Sequence, residues 1–174
     1  EAAVGALSRL DYVGIVEFSW QGGVDWTLPM ALKGDGSAAN AAIQRLQFGD
    51  MPDFDPSLEL ALKGLLATDA GQRHVIVVSD GDPNLGRNVL QKYIDAGVTI
   101  SAVGVNPHSA GDLRTMERMA RLTEGEYYEV KNNNLAQLPQ IFIKEAQTIK
   151  RTLIQEGEIQ PVMVGGAETL RGIG

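Results

Sequence analysis

The sequence predicts a three-layer, Rossmann-like α/β fold, a mostly parallel sheet between helices with an antiparallel strand at one edge. Three observations predict it. From Arg73 onward the pattern runs strand, helix, strand, helix, strand, with connections suited to short right-handed crossovers. Residues 74–78 (HVIVV) and 98–105 (VTISAVGV) are near-continuous apolar runs, as in strands covered on both faces. Residues 12–19 (YVGIVEFS) and 24–30 (VDWTLPM) flank a short QGG, the pattern of a hairpin. Pro29 places its second strand at an edge, because proline cannot donate to a central ladder.

The elements follow in order. Val4, Leu7 and Leu10 recur at helical spacing and predict a helix over residues 1–10. After the hairpin, Ser37 caps a helix over residues 38–46. FGDMPDFDP (48–56) is a loop. Pro56 suits the first turn of a helix to about Ala67, with Leu58, Leu62 and Leu65 on one face and Asp55 as cap. Helices over about 86–96 and 111–122 alternate with the interior strand 98–105 and a short strand, EYYEV, at 126–130. NNN (132–134) is a turn signal. The helix after it, about 135–154, buries Leu138, Phe142, Ile149 and Leu153. IQPVMVGG (159–166) supplies one extra strand. The reading divides the chain into a domain over 1–145 and an extension over 146–174 that leads toward a further domain.

Bulk properties narrow the function. The net charge of −7 argues against a nucleic-acid partner. The absence of cysteine excludes a disulfide framework and a thiolate metal site. No run approaches the roughly 20 apolar residues that cross a bilayer, and no signal peptide opens the chain. The sequence starts abruptly in helical material, as though more sequence preceded it. Membrane attachment is therefore expected only through other parts of a parent protein, with this domain soluble.

The apolar strand at 74–78 runs into Ser79-Asp80-Gly81-Asp82, and a second acidic loop, GDMPDFD, covers 49–55. Ligands of open parallel sheets sit beyond the carboxyl ends of the strands. If the two loops meet, Asp80, Asp53 and Asp82 offer oxygens to a hard cation such as Mg²⁺ or Mn²⁺. The plainer reading is that Asp-Gly is a turn signal and Asp55 a helix cap. Both readings stand on spacing alone. His74 and His108 have no zinc spacing and read as structural or surface residues. Ser79 lacks a nucleophile elbow. Gly14 and Gly104 read as sites of close helix packing, and Trp20 and Trp26 as packing of the edge hairpin.

VIVVSDG resembles the strand and Asp-Gly element of von Willebrand factor type A domains. GDMPDFDPSLELAL resembles that family's metal loop and following helix, DYVGIVEFS its second strand and GVTISAVGV its fifth. The resemblance covers residues 1 to about 145. It implies a metal ion-dependent adhesion site, of which Asp80 matches the acid after the fourth strand. Pro52 falls at the family's Thr position, with Asp53 adjacent. The family's first strand and its Ser-containing loop are absent from this chain. That strand lies between the second and fourth, so the resemblance implies a gap filled by a partner chain, by Pro161 to Val164, or by direct pairing of the flanking strands; a homo-oligomer or strand exchange would compensate for it. GDLRTMERMARLTEGEYYEV and the segment after it resemble type A domains of large bacterial membrane-associated proteins with a glutamine-amidotransferase-like region.

Three functions follow. The first is a non-enzymatic protein-interaction module, dependent on a divalent cation. The second is a structural or assembly domain with an incomplete metal site. The third is a metal-dependent hydrolase, for which the sequence offers no general base.

Overall fold

The computed structural model describes residues 1–155, except 20, 21, 48, 81, 82 and 108; the side chains of 110, 112, 132 and 149–155 are also outside the description. Asp82, His108, Trp20 and the predicted strand at 159–166 thus lie outside the described residues, as do the Ile149 and Leu153 side chains. In chain order the elements are α1 (Ala2–Ala6), β1 (Tyr12–Ser19), β2 (Gly23–Leu32), α2 (Ser37–Ile43), α3 (Asp55–Leu66), β3 (His74–Ser79), α4 (Arg87–Asp95), β4 (Thr99–Val105), α5 (Ala110–Leu122), β5 (Tyr127–Val130) and α6 (Leu138–Gln155). A 3₁₀ turn over Asn132–Gln137 precedes α6, so the α-helix begins later than the leucine spacing predicts. The first helix is also shorter than predicted, ending at Ala6 and leaving Leu10 exposed.

The alternation of strand and helix is as predicted, but the strands form two sheets. β1 and β2 make an antiparallel hairpin with irregular register around Gly14 and Pro29. β3, β4 and β5 make a parallel sheet in that order. Among the described residues no ladder joins β1 to β3, so the flanking strands do not pair directly. The physical reason lies in α3. It packs against both β1 and β2, while its Leu58, Leu62 and Leu65 enter the same core as Ile100 and Ala102 of β4. Moving the hairpin edge to edge with β3 would strip that packing.

The burial pattern records the split. β4, with a neighbour on each side, is buried from Ile100 to Gly104. β3 is half-buried at most positions despite its apolar sequence, and Val78 is 51% exposed. β1 is half-buried everywhere except Ser19.

The main core lies between the parallel sheet and α3, α4 and α5, and includes Phe54, Leu90, Tyr93, Met116 and Met119. Each fully buried side chain of this size contributes about 1.5–3 kcal/mol. Tyr93 is fully buried and its hydroxyl donates to the Leu58 carbonyl at 2.7 Å, which satisfies the one polar atom it brings inside. Burial pushes its phenol well above the ordinary range. Arg73 joins the end of α3 to the start of β3, donating from Nε to Leu65 O at 3.0 Å and from its terminal nitrogen to Thr68 O at 2.9 Å. Gly97, at φ +61°, stops α4, and Val98 N then donates back to Tyr93 O at 3.0 Å.

Gly14 and Gly104 make room for aromatic rings rather than helices. A Cβ at Gly14 would overlap Trp26, and one at Gly104 would meet the Tyr127 hydroxyl at 2.8 Å. Trp26 is wedged between Gly14 of β1 and Gly64 of α3, which fits the packing role predicted for it.

Candidate functional site

The carboxyl end of β3 delivers Asp80 into the loop leading to α4. The 49–55 loop meets the segment that follows β3 at Asn84. Phe54 N donates to Asn84 O at 2.9 Å, and Asn84 N returns to Pro52 O at 3.0 Å. The Asn84 side-chain amide donates to the same Pro52 carbonyl at 3.2 Å. Phe54, only 1% exposed, anchors the crossing from beneath. Pro52 therefore takes part through its carbonyl, which needs no ligating side chain.

The carboxylates in this junction have local partners. Asp53 Oδ1 accepts from Asp55 N at 2.8 Å, so Asp53 covers a backbone donor at the start of α3. Asp55 was predicted to cap that helix; instead it is the first helical residue, and its Oδ1 accepts from Gly86 N at 2.8 Å, across to the loop before α4. Gly86 is required by this approach, since a Cβ there would overlap the Asp55 carboxylate. The Asp80 carboxylate sits beside Ser79, whose hydroxyl donates to Oδ1 at 3.4 Å. Asp53 and Asp80 are both half-buried. Among the described residues no three His, Asp or Glu side chains converge as cation ligands. The residues described bring together the loops of the predicted site and not a full ligand set.

At the carboxyl ends of β4 and β5 lies a shallow hollow of about 390 Å³, lined by Asn106, Pro107, Glu129, Lys131 and Asn133. Asn106 holds φ +51° and donates from its N to Val130 O at 3.0 Å. A larger hollow of about 570 Å³ lies away from this end, between α3 and α4, where Lys92 pairs with Glu59. It has no relation to the acidic loops.

A second polar constellation was missed in the sequence. Glu145 of α6 is 3% exposed. Ser101 of β4 donates to its Oε2 at 2.6 Å, and the Tyr128 hydroxyl of β5 donates to Oε1. His74 Nε2 of β3 lies 3.1 Å from Oε2, an electrostatic contact without hydrogen-bond alignment. The other ring nitrogen of His74 shares a hydrogen bond with Thr99 Oγ1. Burial alone would raise the Glu145 carboxyl, but its contacts with His74, Ser101 and Tyr128 prevail and bring it down to about 2. Burial and this carboxylate push the Tyr128 phenol upward, while the Lys144 ammonium sits 5.0 Å from its ring centroid. In sequence, Glu145 sits in IFIKEAQ among exposed-looking charges, and no spacing distinguishes it.

Comparison with known proteins places this architecture. A profile of the von Willebrand factor type A domain matches residues 2–143. Among solved structures, a conserved hypothetical protein, BatB, from Bacteroides thetaiotaomicron superposes with a TM-score of 0.65 at 18% identity, over 86% of this chain and 83% of that one. An aerotolerance-related membrane protein from Bacteroides fragilis gives 0.63 at 15% identity, over 84% of each chain. A von Willebrand factor type A structure from Catenulispora acidiphila gives 0.70 at 17% identity, over 83% of this chain and 35% of that one. These likenesses establish the fold. No curated protein matches the chain.

Proposed function

Because the chain belongs to the von Willebrand factor type A domain family, we propose that it is a non-enzymatic protein-interaction module of a larger, membrane-associated bacterial protein. The observation that carries the reading is the junction of the 52–55 and 80–86 loops at the carboxyl end of β3, the end where open parallel sheets receive ligands. Support for the setting comes from two similar structures, one a BatB protein and one described as an aerotolerance-related membrane protein. No described helix is long and apolar enough to cross a membrane; attachment through other parts of the parent is part of the proposal. A glutamine-amidotransferase-like region in that parent, and residues 146–174 as the connection toward it, are the finer part of this proposal.

Cation dependence is also part of the proposal. Asp80, Asp53 and Asp82 are the residues assigned to a hydrated Mg²⁺ or Mn²⁺, with a partner's carboxylate completing the shell. Magnesium suits a sparse set, because it keeps several waters and takes one or two protein carboxylates. For Asp53 the described contacts speak against an easy fit, since its Oδ1 is engaged with Asp55 N. The second reading, an assembly domain with an incomplete site, is favoured by that engagement and by the lack of three convergent ligands among the described residues.

Thermal unfolding in EDTA and in excess Mg²⁺ or Mn²⁺, with the unaltered chain and with Asp80→Ala, separates the two. A cation-dependent rise in melting temperature that Asp80→Ala abolishes supports the cation-dependent module, because a ligand of the folded state must stabilise it. Equal melting under all conditions supports the assembly domain.

A further inference from the structure

The outer faces of α4 and α5 carry a surface that neither the acidic loops nor the core explains. Buried Val89, Leu90 and Tyr93 fix which side of α4 turns inward, and buried Met116, Met119 and Ala120 do the same for α5. Successive helical residues are about 100° apart, so the flanks of each helix follow. On α4, Lys92 pairs with Glu59 and marks the flank toward α3. Ile94 is on the other flank, toward α5. On α5, Glu117 marks the flank toward β5, because burial and then the Glu129 and Glu117 carboxylates raise the Tyr127 phenol. Leu122 is on the other flank, toward α4. The two helices touch, and both cross between parallel strands, so they run the same way. Ile94 and Leu122 each stand near the C-terminal end of their helix. They face one groove from its two walls, and they are 42% and 40% exposed.

The charge around this apolar pair is mostly positive. Arg114, Arg118 and Arg121 recur at helical spacing and form a ridge opposite the buried side of α5. Arg87 stands two turns before Ile94, on the same flank of α4. None of these arginines has an ion-pair partner among the described residues. Of the acids described on the two helices, Asp95 accepts from Gln91 Nε2 at 2.8 Å, and Glu117 belongs to the β5 flank. The ridge thus runs against the net charge of the chain, −7. Arginine presents a planar fork that fits a carboxylate bidentately, and it is more weakly hydrated than an ammonium. An apolar pair with arginines on both walls is complementary to a helix whose apolar stripe is bordered by carboxylates. Grooves between packed helices receive such helices through apolar side chains at three- and four-residue spacing.

We propose that the α4–α5 groove docks an acidic amphipathic helix of a partner protein, its apolar stripe on Ile94 and Leu122 and its carboxylates on Arg87, Arg118 and Arg121. The surface belongs to the outer helix layer and needs no cation, so it stands or falls separately from the reading of the acidic loops.

The test uses the full chain and a fluorescent helical peptide of leucine and glutamate, with leucines at alternating three- and four-residue spacing. A peptide of the same composition in permuted order is the control. Anisotropy should show saturable binding of the amphipathic peptide. Arg118→Glu/Arg121→Glu and Ile94→Ser/Leu122→Ser should each weaken it about tenfold or more, at unchanged melting temperature. Arg9→Glu/Arg45→Glu makes the same change in net charge elsewhere and should leave binding intact. Absence of binding, equal binding of the two peptides, or an equal loss in the Arg9→Glu/Arg45→Glu chain would overturn the proposal. Binding to phosphatidylglycerol vesicles in place of the peptide, abolished by the Arg118→Glu/Arg121→Glu change, would overturn it in favour of a membrane surface. Self-association abolished by Ile94→Ser/Leu122→Ser would assign the groove to a second copy and overturn it too. None of these outcomes alters the result with EDTA and Asp80→Ala, so the two readings fail separately.

Discussion

His74 Nε2 stands 3.1 Å from Glu145 Oε2, and this contact makes one carboxylate on α6 the meeting point of all three parallel strands. Ser101 brings β4 to the same group and Tyr128 brings β5. Glu145 and Ala146 are the buried residues of α6 among those described, while Phe142 and Leu138 are half-buried. The helix thus holds the sheet at this level by a charged group as much as by apolar contact. Glu145→Ala should cost roughly 1–3 kcal/mol, because it leaves the Ser101 and Tyr128 hydroxyls without the acceptor they donate to. Glu145→Gln should cost less, since an amide oxygen still accepts from Ser101 or Tyr128. Urea denaturation of the three chains measures both, and a loss below about 0.5 kcal/mol for the alanine variant would contradict the role.

The same carboxylate sets an acid limit. Its value in the folded chain, about 2, is below the ordinary 4.5, so the unfolded state binds the proton more tightly. The stability it contributes is present above about pH 4.5 and is lost as the pH falls from there toward 2. The unaltered chain should therefore lose stability more steeply over that window than Glu145→Gln. Melting temperatures at stepped pH test this, and parallel curves would refute it.

At the loop junction, Gly86→Ala should destabilise by roughly 1–3 kcal/mol, the usual cost of forcing atoms into an occupied space. The occupied space is the Asp55 carboxylate, so the penalty should shrink in the Asp55→Ala background. A double-mutant cycle gives the coupling directly. Additive losses would mean that the alanine at 86 clashes with something else.

Two effects compete in Gly64→Ala. Alanine inside a helix gains about 1 kcal/mol over glycine. A Cβ at position 64 would, however, lie 2.6 Å from Trp26 Cζ2, and overpacking of this kind costs about 1–3 kcal/mol. The clash should win and the variant should unfold at lower urea, unless Trp26 shifts freely. In the background Trp26→Leu, the same substitution should become stabilising.

The architecture was legible where local pattern and tertiary role agree. The apolar run of β4 is buried on both faces, as its composition demands, and Gly97 ends α4 through a left-handed backbone that few other residues tolerate. Pro29 correctly marked β2 as an edge strand. Sequence showed the two acidic loops but not the Asn84 contact that joins the 49–55 loop to the segment after β3. Asp55 before Pro56 has every local mark of a cap, yet its carboxylate serves Gly86, 31 residues away. Glu145 was hidden for the same reason. Its partners Ser101 and Tyr128 are 44 and 17 residues away, and helical periodicity assigns an isolated glutamate to solvent.

The split between the antiparallel hairpin and the parallel sheet also bears on how the domain comes apart. Within the described residues no backbone ladder crosses from one to the other, and α3 is the wall they share. Side-chain packing on a common helix is short-ranged and is lost over a small displacement, whereas a ladder must be opened bond by bond. Trp26, seated between Gly14 of the hairpin and Gly64 of α3, couples β1 and β2 to that helix, so loosening α3 should release the hairpin with it.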